Sequence, residues 1–348
     1  MTTVYRFGIV GLSWITSEPA NPGTHPILGS AMPHTHLAGI ANLPEAEVIA
    51  GCDIDAAARQ AFIERWDTTW PGLAVFDDYH RMLDELDLDI VCVATPDNLH
   101  APVVKAAAKA GVKGIFCEKP MSTHTDEVDD MIAALTEHGV VCSVNHTRRW
   151  MPNYVAARQL IRSGAIGEVA TVSARLGGER AMLWRNHSHA IDLLNYFADG
   201  TPVWVMGELQ AGFESYGLRY HGDGGRDASL EPGANAYIAW DNGVRGFLIG
   251  EKKGAPSLQV EVSGSTGRIL VNDQVASIEQ VTVEGLKASP IVPRFTMGGM
   301  QAGLADLINA VATGEEPQCP PSEARKTVAI IDGILASQAN GNNRVPVP

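Results

Sequence analysis

Short apolar runs alternate with helical patterns through the first 145 residues, and this alternation constrains the fold more than any other feature. The runs lie at 4–10, 48–53, 89–94, 114–118 and 140–145, and the helical patterns lie at 55–66, 78–85, 100–110 and 125–138. Residues 15–33 contain four prolines and are predicted as a loop before a helix resumes near His34. Strands that are apolar along their whole length are typical of a parallel sheet covered on both faces. Because crossovers between parallel strands are right-handed, the pattern predicts a doubly wound α/β domain.

The second half of the chain follows a different pattern. A helix that begins at a proline is predicted over 152–162, and runs rich in β-branched residues follow at 168–176, 236–240, 244–250, 258–263 and 268–271. The segment Asp241-Asn242-Gly243 predicts an antiparallel hairpin, since Asn-Gly accepts positive φ. Helical patterns at 300–312 and 322–338 complete an α+β domain. We therefore predict two domains, over residues 1–146 and 147–348.

Composition excludes several classes of protein. The 348 residues carry a net charge of −14, whereas nonspecific binding to nucleic acid or to an anionic membrane needs a basic surface. No apolar run reaches the roughly 18 residues of a membrane-spanning helix, and the first ten residues lack the pattern of a secretory signal. The five cysteines form no CxxC pair and are predicted to be buried free thiols. We expect a cytoplasmic protein with no nucleic-acid or membrane partner.

A glycine turn follows the first predicted strand. A GxGxxG fingerprint would bring the pyrophosphate of a dinucleotide close to the backbone. In the register that begins at Gly11, however, Ser13 and Thr16 occupy the positions of the two later glycines. Asp53 ends the second strand, where a carboxylate accepts hydrogen bonds from the adenosine ribose and repels a 2′-phosphate. The two features together predict NAD rather than NADP. The predicted contacts at this end of the cofactor are Gly8, Gly11, Leu12, Ser13, Trp14, Asp53 and Ile54.

Polar residues follow three further strands, at the carboxyl ends where a doubly wound sheet binds its ligand. They form the segments 94–100 (ATPDNLH), 117–120 (CEKP) and 145–150 (NHTRRW). A lysine at a buried strand end, between an acid and a proline, is hard to explain by packing alone. The three segments therefore predict a ligand site at this edge of the sheet.

In order and spacing these motifs resemble the Gfo/Idh/MocA family of sugar and polyol oxidoreductases over nearly the whole chain. The resemblance rests on Gly8 and Gly11, Asp53, Asp78-Tyr79, 94–100, Glu118-Lys119-Pro120, Asn145 with Arg148, 166–169 and His189-Ala190-Ile191-Asp192. It implies an N-terminal Rossmann domain, followed by an α+β domain with a large open, mostly antiparallel sheet. It also implies a homodimer or homotetramer formed through that sheet, and a cis peptide bond before Pro120.

The resemblance further implies roles for single residues. Lys119 would hold the substrate hydroxyl and the nicotinamide ribose, and His189 would be the catalytic acid or base. An imidazole exchanges a proton near neutral pH, an ammonium group stabilises alkoxide character, and the cofactor carries the hydride. For His100, which begins a helix, capping or packing is the alternative. The other implied cofactor contacts are Thr95, Pro96, Asn98, His100, Glu118, Lys119 and Arg148.

The chain departs from the family just before His189. Many members read Asp-x-Gly-x-His-x-x-Asp, whereas Arg185 stands here at the position of the first acid. Arginine presents a planar fork that suits a carboxylate or phosphate, so we predict that Arg185 binds an anionic group of the substrate. A salt bridge to Glu179 or Asp192 is the alternative. Trp184 could equally belong to the core, and Asp192 could anchor His189. The predicted substrate contacts are Lys119, Arg149, Trp184, Arg185, His187, His189 and Asp192.

Three functions stay open on the sequence alone. The first is an NAD-dependent dehydrogenase or reductase acting on a sugar, cyclitol or sugar derivative. The second is a redox-neutral enzyme that keeps NAD bound while it cleaves a glycosidic bond, and the third is a non-catalytic sensor of cofactor or sugar. The presence of both Lys119 and His189 argues against the sensor. The two His-x-His pairs, at 34–36 and 187–189, lack a visible third ligand, so no metal is predicted.

Overall fold

The computed structural model describes residues 3–17, 33–293 and 297–348, which cluster into two compact units. The first unit contains the described residues of Met1–Ser122, Asp126–Trp150 and Phe295–Ser322. The second contains those of Thr123–Thr125, Met151–Arg294 and Glu323–Pro348. Most of the loop predicted at 15–33 lies outside the described residues.

A six-stranded parallel sheet forms the centre of the first unit. Its strands are β1 (Tyr5–Val10), β2 (Ala46–Cys52), β3 (Ala74–Phe76), β4 (Ile90–Val93), β5 (Gly114–Cys117) and β6 (Val141–Val144). They lie in the order β3-β2-β1-β4-β5-β6, and every neighbouring pair is parallel. All residues of β4 and β5 are buried, as expected for a sheet covered on both faces. The predicted doubly wound sheet is confirmed.

Helices follow the strands of this sheet. They are α1 (Trp14–Ser17), α2 (His36–Ile40), α3 (Ala56–Trp66), α4 (Tyr79–Glu85), α5 (His100–Lys109) and α6 (Thr125–His138). The carboxylates of Asp55 and Asp78 begin α3 and α4, because each accepts a hydrogen bond of 2.9 Å from the backbone N–H two residues further on. Residues 14–17 form a short helix, whereas 15–17 were predicted as part of a loop.

A nine-stranded sheet dominates the second unit. Its strands are β7 (Val169–Gly177), β8 (Pro202–Leu209), β9 (Ala234–Trp240), β10 (Arg245–Glu251), β11 (Ser257–Gly264), β12 (Gly267–Asn272), β13 (Ala276–Thr282), β14 (Gly285–Pro290) and β15 (Val345–Pro346). Its order is β14-β13-β12-β11-β7-β10-β9-β8-β15, and β7 with β10 is its parallel pair. Along β10, Leu248 is buried whereas Phe247 is 41% exposed, so one face is covered and the other open. The prediction of a large, open, mostly antiparallel sheet is confirmed.

The remaining helices are α7 (Pro152–Arg162), α8 (His187–Ala198), α9 (Gly299–Thr313) and α10 (Pro321–Ala339). In the second unit, α8 packs against β7, β10 and β11. Helix α9 returns to the first unit, where it packs against α2, β5 and β6, and its Leu304 and Leu307 join the core around Phe116. The boundary predicted at residue 146 did not anticipate this return. Within the described parts of the chain, no helix has the length and apolar character needed to cross a membrane.

Candidate active site

The turn after β1 approaches the end of β4 so closely that only glycine fits at residue 11. Gly11 has a φ of +93°, and a Cβ atom there would lie 2.5 Å from the carbonyl oxygen of Ala94. The next backbone N–H, of Leu12, donates a hydrogen bond of 2.8 Å to Oδ2 of Asp53, and Oδ1 accepts one of 2.9 Å from Asp55. The structure therefore brings Gly11, Leu12 and Asp53 together at the ends of β1 and β2. This tight backbone turn beside a carboxylate fits the pyrophosphate and ribose of a dinucleotide.

Other predicted contacts of this turn divide into two groups. Trp14 and Ile54 are 54% and 90% exposed and offer apolar surface beside the turn. Ser13 is also exposed, and its carbonyl oxygen accepts the hydroxyl of Thr16 at 2.7 Å. Gly8, in contrast, faces the core, since a Cβ there would lie 2.6 Å from Cδ1 of Leu88. Gly8 therefore serves packing below β1 rather than direct contact with a cofactor.

The segment after β4 carries a buried hydroxyl and a buried imidazole. Oγ1 of Thr95 is buried and has no hydrogen-bond partner among the described residues, so it is available to a bound group. Pro96 and Asn98 are exposed beside it. His100 is fully buried, with Nδ1 2.8 Å from the carbonyl oxygen of Pro120 and Nε2 3.0 Å from that of Thr95. His100 thus joins the segments after β4 and β5, which favours the packing role.

The segment after β5 places an ionised acid next to Lys119. The peptide bond between Lys119 and Pro120 is cis, as the resemblance implied, and Lys119 is 8% exposed. Oε1 of Glu118 accepts hydrogen bonds from Nε2 of His36 at 2.8 Å and from Nδ2 of Asn145 at 2.6 Å. Burial alone would raise the pKa of Glu118, but the hydrogen bond and charge of His36, the Asn145 amide and the Lys119 charge lower it to about 2. Glu118 is therefore a carboxylate at neutral pH.

The two arginines after β6 occupy different environments. Arg148 is half-buried. Arg149 is 1% exposed, and its Nη1 donates to the carbonyl oxygen of Gln318 at 3.2 Å. The predicted role of Arg149 in substrate binding does not fit this burial, and we assign it to packing within the first unit.

In the second unit, a buried turn leads from β7 into α8. Trp184 is fully buried, its backbone N–H donates to the Glu231 carboxylate, and its ring meets that of Tyr220 edge-on at 6.0 Å. These contacts favour the core alternative for Trp184. Arg185 is half-buried, and its Nη1 donates to the carbonyl oxygen of Gly224 at 3.3 Å. The segment 220–231 thus holds both residues in place.

The two histidines of α8 point to different sides of the helix. His187 is fully buried, and a Cβ atom on Gly250 would lie 2.3 Å from its Nε2, so this ring packs on the sheet. Burial and the charge of Lys252 lower the pKa of His187 to about 4, so it is neutral at neutral pH. The predicted substrate contact through His187 does not fit this position. His189 lies two residues further along the helix and is half-buried. Asp192, three residues after His189, lies on the same side of the helix as His189.

Residues 5–146 match the oxidoreductase family with an NAD-binding Rossmann fold, and residues 154–270 match the Gfo/Idh/MocA C-terminal domain. This chain belongs to the Gfo/Idh/MocA family. Its first unit is an NAD-binding Rossmann domain, which agrees with the predicted cofactor. Among the residues that the structure describes, no group of three or more His, Cys, Asp or Glu side chains is placed to hold a metal ion.

A dehydrogenase, a hydratase and an oxidoreductase are among the proteins similar to the chain. Inositol 2-dehydrogenase of Rhizobium meliloti is 24% identical over 329 residues, covering 87% of this chain and 93% of that protein. The 2,7-anhydro-N-acetylneuraminate hydratase of Mediterraneibacter gnavus is 32% identical over 143 residues, covering 37% and 38%. An Agrobacterium radiobacter oxidoreductase, solved with NAD+, L-tartaric acid and magnesium, has a TM-score of 0.75 at 16% identity, over 99% of each chain. The chain spans about two fifths of the length of the first curated relatives it matches.

Sequence reasoning missed His36 as part of this site. It was considered only as one half of a His-x-His pair, whereas the structure places it against Glu118, 82 residues further along the chain. The available signal was a histidine at the start of the short, otherwise apolar helix α2.

Proposed function

We propose that this chain is an NAD-dependent oxidoreductase that transfers a hydride between nicotinamide and a hydroxyl or carbonyl carbon of a sugar, cyclitol or sugar derivative. The observation that carries the proposal is Lys119, buried beside an ionised Glu118 at the carboxyl end of β5 in an NAD-binding sheet. A buried cation at that edge has little structural purpose, but it suits an oxygen that gains negative charge. The alignment with an inositol 2-dehydrogenase over most of both chains supports a polyol as substrate.

The proposed chemistry divides among a few side chains. NAD, when bound, supplies the hydride acceptor. Lys119 would donate a hydrogen bond to the reacting oxygen and stabilise its negative charge, and His189 would take up or return the hydroxyl proton. Asp192 lies one helical turn from His189 and would orient it. The residues proposed to hold NAD are Gly11, Leu12, Ser13, Trp14, Asp53, Ile54, Thr95, Pro96, Asn98, Lys119 and Arg148.

A redox-neutral reaction is the second candidate, because one relative is named a hydratase. A screen of inositol, monosaccharides, sugar acids and glycosides with NAD distinguishes the candidates when NADH absorbance and product release are followed separately. Steady NADH formation supports the dehydrogenase, and product without NADH supports the redox-neutral enzyme. Binding of NAD without any product would contradict both and favour a sensor.

Asp53 is expected to make the protein prefer NAD to NADP. Its carboxylate, fixed by Leu12 and Asp55, would repel a 2′-phosphate at the adenosine ribose. Asp53→Ser should reduce the ratio of the NADP dissociation constant to the NAD dissociation constant by about tenfold, which corresponds to roughly 1.4 kcal/mol. Titration calorimetry with each cofactor measures this ratio, and the exposed Asp77→Ser is the matched control. Tighter binding of NADP by the unmodified protein would refute the assignment.

Arg185 is proposed to bind an anionic group of the substrate. Burial and the nearby charge of Arg185 lower the pKa of Arg180, so two guanidinium groups lie in one region of the second unit. The name of one relative contains an acidic sugar, an N-acetylneuraminate, which is consistent with this positive charge. Arg185→Met should raise KM for a sugar acid by about tenfold or more and leave KM for the corresponding neutral sugar within about twofold. Arg175 is an exposed arginine on β7, and Arg175→Met should change the KM of neither sugar. Equal effects of Arg185→Met on both sugars would favour the salt-bridge alternative.

The open face of the nine-stranded sheet is the proposed interface of a homodimer or homotetramer. Met206 and Phe247 are 42% and 41% exposed, and the ring of Phe247 stacks on Tyr237 at 5.1 Å. Exposed apolar side chains that lie together in this way are typical of a protein interface. Sedimentation equilibrium measures the assembly, and a monomer at micromolar concentration would contradict the proposal. The cytoplasmic location stays a prediction.

A further inference from the structure

The Glu118 carboxylate is held by donors from three separate segments of the first unit. Its side chain is only 12% exposed. Oε1 accepts from His36, which begins α2, and from Asn145, which follows β6. Oε2 accepts from the backbone N–H of Lys119 at 3.3 Å. The carboxylate thus joins the start of α2 and the ends of β5 and β6.

His36 is built into this contact. Its ring is fully buried and meets Phe116 edge-on, with 5.4 Å between ring centroids. Nδ1 is buried without a hydrogen-bond partner among the described residues, so Nε2 is the ring nitrogen that donates to Glu118. Thr35 caps α2 through the N–H of Ala38, which stabilises the start of the helix where His36 stands.

The Asn145 amide, the second side-chain donor to Glu118, is also held by its neighbours. Oδ1 of Asn145 accepts the hydroxyl of Thr147 at 2.9 Å, which directs Nδ2 of Asn145 toward Glu118. The same Nδ2 lies 3.4 Å from Sδ of Met300. The amide therefore has one orientation, and Glu118 has one position.

Packing alone does not explain this arrangement. An ionised carboxylate loses much of its hydration on burial, and well-packed apolar residues usually give equal or greater stability. What the network provides is a fixed negative charge close to the Lys119 ammonium group, whose own charge contributes to the low pKa of Glu118. It also fixes the backbone N–H of the same lysine.

We propose that His36 is a positioning residue for Lys119: its Nε2 hydrogen bond holds the Glu118 carboxylate, which in turn fixes the backbone of Lys119 and the charge beside its ammonium group. The functional meaning of this contact rests on the proposed role of Lys119. The contact itself can be tested without substrate. Loss of the His36 donor leaves Oε1 with the Asn145 amide alone and frees the carboxylate to move.

The test compares His36→Leu, which removes the donor, with His36→Gln, whose side-chain amide can replace Nε2. Protein labelled with carbon-13 at the Glu carboxyl and at the Lys ε-carbon gives signals for Glu118 and Lys119, which Glu118→Gln and Lys119→Arg identify. The titratable groups that face Glu118 are His36, Lys119, Cys92 and Cys117. Burial raises the pKa of both thiols far above neutral, so they stay protonated throughout the titration.

In His36→Leu the midpoint for Glu118 should rise from about 2 toward its ordinary value of 4.5, and the Lys119 signal should move. His36→Gln should restore both signals, and the Lys105 signal should stay unchanged in every variant. An unmoved Glu118 midpoint or an unmoved Lys119 signal in His36→Leu would overturn the proposal. Equal shifts in the Leu and Gln variants would do the same, because they would reflect packing rather than the donor.

Two further measurements keep the outcome decisive. If His36→Leu does not fold, His36→Asn takes its place, since the shorter amide cannot reach Glu118. The catalytic role of Lys119 is tested separately by the turnover of Lys119→Ala. Normal turnover in that variant would refute the proposed function and leave the NMR result on His36 standing.

Discussion

Lys119→Ala is expected to lower turnover by about 10³-fold or more while the protein still folds and binds NAD. The lysine is 8% exposed and lies beside an ionised carboxylate, so its ammonium group is held in a low-dielectric environment. A fixed cation in such a place stabilises negative charge on a reacting oxygen far better than water does. Steady-state kinetics on the substrate found by the screen, together with NAD titration, measures both parts of the prediction.

The matched control for this variant is Lys105→Ala. Lys105 lies on α5 with its side chain 44% exposed, 3.9 Å from Asp130, so its removal should leave turnover within about twofold. Lys119→Ala with nearly native turnover would show that this lysine is structural. Weaker NAD binding with no loss of turnover at saturating NAD would assign Lys119 to cofactor binding alone.

Local patterns in the sequence were sufficient to predict most of the secondary structure. The helices at Thr125–His138 and Pro152–Arg162 have the predicted bounds, because acidic residues or a proline begin each of them. The strands that are apolar along their whole length predicted the parallel sheet, because such strands are covered on both faces. The position of α9 could not be predicted in this way. Its apolar pattern does not say which unit it packs on, and only the tertiary fold places it against the core around Phe116.

The sequence predicted polar segments after β4, β5 and β6, where the structure has them, but it did not predict side-chain direction. Arg149 and His187 were both expected to contact substrate, and both are buried. His187 and His189 are two residues apart on one helix, a rotation of about 200°, so they cannot share a face. The pairing of His36 with Glu118 depends on contact between segments far apart in the chain, which no local pattern reports. The ends of strands can be predicted from sequence, whereas contacts between the segments that follow different strands can be seen only in the folded structure.

Gly11→Ala is expected to destabilise the protein by about 3 kcal/mol or more and to abolish measurable NAD binding. Two costs add at this residue. A φ of +93° is strained for alanine, and the new Cβ would lie 2.5 Å from the carbonyl oxygen and 2.7 Å from the carbonyl carbon of Ala94. Those atoms are backbone at the end of a buried strand, so they cannot move as a flexible side chain would. Urea unfolding and calorimetric titration with NAD measure the two effects.

Gly72→Ala isolates the contribution of the close approach. Gly72 has a similar φ of +84°, but a Cβ atom there would meet nothing within 4 Å. This variant should therefore show only the backbone strain, about 1–2 kcal/mol, with unchanged affinity for NAD. The effect of an added methyl group on the unfolded chain is the same in both variants, so it cancels from the difference between them. Equal losses of stability in the two variants would show that the turn after β1 can move away from β4, and that Gly11 is required for its φ alone.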